Sequence, residues 1–311
     1  MGRDDQSIAR GMCGAVSGSL VSSISSRCGK LAPLTTRHSP MRIITFNANG
    51  IRSAASKGFF DWLKKQDADV VCLQETKAQE EQLVDPMFRP DDHHCFYRDA
   101  TTKKGYSGVA IYARREPDEV RTKLGWDAFD GEGRYLEARF GNLSVVSLYL
   151  PSGSSGEERQ HFKFEVMDWI KPIFDRWLKS GRDYVLCGDW NIVRAKRDIR
   201  NWTSNQKNSG CLPQERAWFN GMIADACGDG TPAPERGWVD TFRVLKPEAE
   251  EYTWWSNRGA ARANNVGWRI DYQIATPSLR GRIKACAVTP SPRFSDHAPF
   301  LVEYDAVDYR P

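Results

Sequence analysis

The octapeptide Tyr184-Val-Leu-Cys-Gly-Asp-Trp-Asn191 constrains this chain more than any other stretch. An apolar run stopped by Gly188 predicts a buried strand that reaches the lip of a sheet. Just beyond stand Asp189, a carboxylate able to take a proton, and Asn191, a carboxamide able to hold an oxygen. Ligands of α/β proteins gather beyond the ends of their strands. If the strand continues, its two-residue period points Asp189 and Asn191 the same way. A plain Asp-Asn turn explains this stretch equally well by itself, so the decision falls to the rest of the chain.

Other predicted strands end in the same manner. Residues 42–47 are β-branched and apolar and run into the turn signal Asn47-Ala-Asn-Gly50. Residues 69–75 end in Glu75, and residues 106–112 form a third strand. Residues 135–140 and 143–150 read as a hairpin around Gly141-Asn142, closing on Tyr149-Leu-Pro151. Residues 252–255, 268–274, 283–288 and 298–304 follow, the last preceded by Phe294-Ser-Asp-His297. Helical patterns cover residues 57–66, with Phe59, Phe60 and Leu63 inward, and residues 213–226. The longest spans residues 161–179, with Phe162, Val166, Trp169, Ile173, Phe174 and Trp177 as its apolar stripe and a kink expected at Pro172. Residues 198–212 form a long polar loop. The pattern is mixed α/β, with two similar halves expected to meet near residue 155.

The 311 residues, 40% of them hydrophobic, suffice for one large α/β domain or two small ones. Residues 1–40 hold eight serines and no aromatic side chain, and read as a disordered N-terminal extension. They account for +3 of the net charge of +4, so residues 41–311, the expected catalytic domain, are nearly neutral. A polyanionic partner would therefore meet a local basic patch. The strand opening at Met41 favours a start codon placed upstream of the true one; an organelle transit peptide is the alternative, and Asp4 and Asp5 count against it. The eight cysteines contain no Cys-x-x-Cys pair, which leaves a zinc ribbon unsupported and points to a reducing, cytoplasmic setting. No apolar run is long enough to span a membrane.

Asn47, Glu75, Tyr149, Asp189, Asn191, Asp296 and His297 thus all sit at strand ends, while Asp271 lies within a strand between apolar neighbours. A buried carboxylate needs a partner. His297 is the natural one for Asp271, which would fix the tautomer of the imidazole. Glu75 and Asp296 suit a hard cation such as Mg²⁺, with Asn47 or Asn191 close by. Singly, each residue has a structural explanation; together they fit metal-assisted attack of water on a phosphodiester.

These residues carry a resemblance. The blocks Asn47-Ala-Asn-Gly-Ile-Arg52, Leu73-Gln-Glu-Thr-Lys77, Lys104-Gly-Tyr-Ser-Gly108, Tyr149-Leu-Pro151, Gly188-Asp-Trp-Asn-Ile192, Leu212-Pro-Gln-Glu-Arg216, Gly267-Trp-Arg-Ile-Asp-Tyr272 and Ser295-Asp-His297 resemble, in order, those of the exonuclease III family of apurinic/apyrimidinic endonucleases. The match runs from about Met41 to Tyr304. The resemblance implies a four-layered α/β sandwich, two mixed sheets face to face with helices outside. It implies a Mg²⁺ or Mn²⁺ site drawn from Glu75, Asn47, Asp189, Asn191, Asp296 and His297. Asp189 would be the proton acceptor, Asn191 would steady the transition-state phosphate, and His297, held by Asp271, would contact the scissile phosphate together with Tyr149.

By the same resemblance, Trp254, Trp268 and Ile270 line a pocket for a flipped, base-free sugar, with Trp254 standing where the family often has a smaller aromatic residue. DNA would be gripped by Arg52, Lys77, Lys103, Lys104, Tyr106, Asn201, Asn205, Lys207, Asn208, Arg258 and Arg262. The implied activity, for a monomer, is cleavage 5′ to abasic sites in double-stranded DNA, with 3′-5′ exonuclease and 3′-phosphatase action on blocked 3′ ends. The loop Ser152-Gly-Ser-Ser-Gly-Glu-Glu-Arg159 departs from the Asn-x-Arg-Gly run of some members. Similar loops occur in non-catalytic regulators that bind RNA or protein, but here every catalytic position is kept. The remaining rival is another phosphodiesterase or phosphatase of the superfamily, acting on lipid or nucleotide, which would not need the tryptophan pocket.

Overall fold

A computed structural model describes residues 40–225 and 233–305. The reading of residues 1–40 as a disordered extension lies, Pro40 apart, outside the described residues. In chain order the elements are β1 (Met41–Asn47), α1 (Ile51–Ser56), α2 (Phe59–Leu63), β2 (Val70–Gln74), β3 (His94–Arg98), β4 (Val109–Ala113), β5 (Glu119–Arg121), α3 (Asp127–Asp130), β6 (Tyr135–Phe140), β7 (Leu143–Tyr149) and α4 (Glu157–Lys179). They continue with β8 (Asp183–Asp189), α5 (Trp202–Asn205), α6 (Pro213–Asn220), β9 (Val239–Asp240), α7 (Thr241–Leu245), β10 (Trp254–Trp255), β11 (Gly267–Trp268), β12 (Asp271–Ala275), β13 (Ile283–Val288) and β14 (Phe300–Tyr304).

Two six-stranded mixed sheets form, in the orders β13-β14-β1-β2-β4-β3 and β5-β6-β7-β8-β12-β9. Each has one parallel pair, β1/β2 and β7/β8, and antiparallel neighbours elsewhere. A parallel pair needs a crossover; α1 and α2 supply it in the first sheet, α4 in the second. Three apolar layers explain the stacking. Ile43, Val70, Cys72 and Ile111 of the first sheet meet Ala138, Val145, Val185 and Cys187 of the second. Ile44, Phe46 and Val71 turn outward onto Ile51, Phe59, Phe60 and Leu63 of α1 and α2. Val146, Leu186 and Ile274 turn outward onto Val166, Met167, Ile170 and Phe174 of α4. This is the four-layered arrangement, helices outside two facing sheets. Polar pins cross the middle: Gln74 Nε2 donates to Ser147 Oγ, and Gln273 Nε2 donates to the carbonyls of Ile43 and Phe300.

Several sequence expectations are corrected. The halves do not meet near residue 155: β5, β6 and β7 precede that point yet belong to the second sheet, and β13 and β14 close the first. Pairing partners far apart in sequence leave no local trace. The helix opened by Pro213 stops at Asn220, and the strand expected over 268–274 breaks at Arg269 and Ile270 into β11 and β12. Pro172 sits inside α4 without ending it. The strand carrying Asp189 does not continue to Asn191, which turns with φ +52°.

Candidate active site

The carboxyl ends of β1, β2, β7 and β8 open on one edge of the sandwich. Because β12 and β14 run antiparallel to β8 and β1, their starts lie at that same edge. So Asn47, Glu75, Tyr149, Asp189, Asp271 and His297 converge from both sheets. Asp271 stands directly opposite Asp189 in the strand register.

Asn47 is fully buried and joins the two carboxylates, its Nδ2 donating to Glu75 Oε1 at 2.8 Å and Asp189 Oδ2 at 2.9 Å. Its Oδ1 accepts from the Asn49 amide, so Asn47 faces the carboxylates as a donor. His297 Nδ1 pairs with Asp271 Oδ2 at 2.9 Å, and its Nε2 lies 3.9 Å from Asp189 Oδ2. Asp189 Oδ1 accepts the Asn191 amide at 2.8 Å, and Asn191 Nδ2 reaches Asp189 Oδ2 and the Leu150 carbonyl. Tyr149 is buried near Glu75, and the Arg134 guanidinium lies 4.5 Å from its ring centre.

Burial and the nearby Asp271 and Glu75 push the Asp189 carboxyl up to about 7, against the pull of His297. Burial opposes a charged imidazole, yet Asp271 and Asp189 raise His297 to about 10. Glu75 is half-buried, which raises it, but Lys77 and Asn47 hold it below the ordinary carboxylate range. The edge therefore offers a proton acceptor poised near neutrality beside a protonated imidazole.

Ligand atoms of Glu75, Asp189 and His297 lie within 4.8 Å of one another. The two carboxylates supply the oxygen donors a hard divalent cation takes and so fit one, while His297, with Nδ1 bound to Asp271 and Nε2 protonated, would stand beside the ion rather than bind it. A cationic group already stands there: Lys77 Nζ is 2.6 Å from Glu75 Oε2. Asp296 is outside that trio. Asn49 Nδ2 donates to its Oδ1 at 2.8 Å and Trp254 Nε1 to its Oδ2 at 3.1 Å. Asn49 also accepts from Lys77, and so belongs to the site; its sequence context shows only a turn former.

Trp254 and Trp268 face each other across the β10/β11 ribbon, edge to face with ring centres 5.7 Å apart, and Trp254 lies 6.4 Å from the His297 ring. Trp268 also packs with Ile199, Val193 and Ile270. Of the expected DNA contacts, Arg52, Lys103, Lys104, Asn201, Lys207, Asn208 and Arg258 are exposed. Asn205 bonds the Asn201 carbonyl. Tyr106 accepts at its hydroxyl from Arg134 and Arg159. Arg262 turns inward, donating to the carbonyls of Ser295 and Pro290.

The profile described as "Endonuclease/Exonuclease/phosphatase family" matches residues 44–297. The chain is 36% identical over 263 residues to the exodeoxyribonuclease of Bacillus subtilis, covering 83% of this chain and 97% of that one. It is 34% identical to the zebrafish (Danio rerio) DNA repair nuclease APEX1, covering 88% and 85% of the two. Its fold is similar to that of an AP endonuclease from Archaeoglobus fulgidus, with TM-score 0.71, 27% identity and coverage of 85% and 99%. It is also similar to the 3′-5′ exonuclease NExo from Neisseria meningitidis, with TM-score 0.74, 26% identity and coverage of 85% and 100%. The strand-end constellation therefore stands in a chain that belongs to the endonuclease/exonuclease/phosphatase family.

Proposed function

We propose that this nuclease hydrolyses the phosphodiester 5′ to an abasic site in duplex DNA and also removes blocking groups and nucleotides from 3′ ends. The observation that carries the reading is adjacency: the Trp254–Trp268 corner lies against Asp296 and His297, beside the Asp189 acceptor. An apolar corner accommodates a sugar without its base better than an intact, stacked nucleotide.

Asp189 accepts the proton of the attacking water, and Asn191 and Asn47 hold its carboxylate in place. The His297 imidazolium, kept charged by Asp271, donates from Nε2 to a phosphate oxygen as negative charge builds there. Tyr149, at the end of β7 and near Glu75, would approach the scissile phosphate from that side. Mg²⁺ or Mn²⁺, held by Glu75 with Asp189 and His297 close by, would neutralise phosphate charge. The Lys77 ammonium shares Glu75 with that ion and would have to give way to it. Residues 41–311 would make up the whole catalytic domain, acting as a monomer on DNA and in the cytoplasm. Among the described residues no helix is long and apolar enough to cross a membrane.

The direct test is incubation with Mg²⁺ and a duplex carrying one abasic analogue. A nick 5′ to the analogue is expected; an intact strand, with hydrolysis only of a lipid or free nucleotide, overturns the reading. A chain beginning at Met41 is expected to keep the same rate and melting temperature.

A further inference from the structure

Helix α4 carries a lysine, Lys163, whose side chain is fully buried. A buried ammonium is costly unless its protons find acceptors. Lys163 finds two: Glu215 Oε1 at 2.6 Å and the backbone carbonyl of Asn191 at 2.8 Å. That carbonyl belongs to the left-handed residue whose amide and carboxamide both hold Asp189.

Glu215, at the start of α6, is equally buried. Its Oε2 accepts the backbone amides of Gly210 at 2.6 Å and Leu212 at 3.1 Å, and Gln160 Nε2 donates to its Oε1 at 3.0 Å. Gly210 is wedged into the site: a methyl on its Cα would come within 2.9 Å of the Asn191 oxygen and 3.1 Å of the Trp268 ring. One ion pair thus reaches the backbone on both sides of the constellation, the Asn191 turn and the segment that backs Trp268.

Stability alone is a poor reason for such a pair, because apolar residues of similar volume often replace one without loss. Its hydrogen bonds go to loop backbone at the active edge. A left-handed non-glycine residue, even an asparagine, is less favoured than extended or helical backbone and is held best where its surroundings over-determine it.

We infer that Lys163 and Glu215 are positioning residues for the hydrolysis: together they fix the turn that sets Asn191 against Asp189 and its spacing from the Trp268 wall. The inference rests on Asp189 and Asn191 carrying the chemistry as proposed above.

The test compares Lys163→Met, Glu215→Gln, the double variant Lys163→Met/Glu215→Gln, and Asn191→Ala, measuring kcat, KM and melting temperature on the abasic duplex. Lys163→Met should lose roughly ten- to hundredfold in kcat, as expected for a small misplacement of reacting groups, with KM within about threefold. It should also melt earlier, because Glu215 is left buried and unpaired. Glu215→Gln, which keeps the Lys163 bond to Asn191, should lose less kcat than Lys163→Met; an equal or larger loss would overturn the part assigned to that bond. The double variant removes both charges at conserved volume. It should regain most of the melting temperature while kcat stays low.

If the double variant recovers kcat along with stability, the pair is only structural and the inference fails. Should Lys163→Met not fold, the kcat of the double variant decides alone. Wild-type kcat in Asn191→Ala would instead defeat the reading of the active site itself. A slow Asn191→Ala beside a fast double variant would defeat this inference only.

Discussion

Nε2 of His297 faces Oδ2 of Asp189 across 3.9 Å, a gap wider than a hydrogen bond, while the far side of the imidazole is bound to Asp271 at 2.9 Å. A group poised to take a proton and a group poised to give one thus flank a space of atomic size, and Asp271 raises both of them.

The pH dependence follows from those two groups. Asp189, raised to about 7, must be ionised to accept a proton, so kcat/KM should fall as pH drops through that value. A bound cation favours the carboxylate and would move this limb lower. His297, raised to about 10, must stay protonated, so activity should fall again as pH rises through that value. A profile flat from about pH 4 to 11 would remove both groups from the chemistry.

Asp189→Asn should keep the fold, because the change is isosteric and removes a charge that burial opposes, even though the new NH2 must face a donor of Asn47 or Asn191. Loss of the proton acceptor should cost about 10²–10⁴-fold in kcat with substrate binding retained. Near-normal turnover at neutral pH would contradict the role.

Cleavage should stop in excess EDTA and return with Mg²⁺ or Mn²⁺. Glu75→Ala should abolish that response and free Lys77 from its ion pair. Titrating the divalent ion against wild type and variant reads both effects; undiminished activity in EDTA would refute the cation site.

Trp268→Ala removes one wall of the tryptophan corner, leaving Asp189, Glu75 and His297 in place. Stacked aromatics contribute about 1–3 kcal/mol, so abasic-site cleavage should drop roughly ten- to hundredfold. The 3′-phosphatase rate, which needs no flipped sugar, should drop less. Parallel losses with a lower melting temperature would mean that Trp268 serves only the cluster with Ile199 and Ile270.

Asp240→Ala tests the buried charge lattice beneath β9 and β12. Asp240 pairs with Arg194 at 2.7 Å and Arg269 at 2.8 Å, and Arg269 also pairs with Asp198 at 2.7 Å. Removing one partner of a buried pair costs about 3–5 kcal/mol. The melting temperature should fall by roughly 6–20 °C. A change under about 2 °C would show that the lattice adds nothing to stability.

Those charged residues mark where sequence reading stops. Glu75, Asp189 and Asp271 stand out because each interrupts or ends an apolar run, and a strand end at a sheet edge is where chemistry collects. Lys163 lies in an amphipathic helix and Arg269 in a segment that reads as a strand between Trp268 and Ile270, and nothing local says that their charges are swallowed. Asn49 looks like one more turn residue because its partners, Lys77 and Asp296, are distant in sequence. The helix–strand alternation is legible for the same reason the sheet order is not: periodicity is local and pairing is not. Asn191 is misplaced by assuming that a strand keeps its period past a glycine.

The interleaving of the sheets has a consequence for biosynthesis. Asn47 and Glu75 emerge from the ribosome long before Asp271 and His297, and β1 waits for β14 to cover its open edge. A nascent chain that ends before β12 lacks Asp271, Asp296 and His297 and has an unfinished sheet. The pairing of Asp271 with His297, and the placement of both against Asp189, come only when β12 and β14 have joined the two sheets.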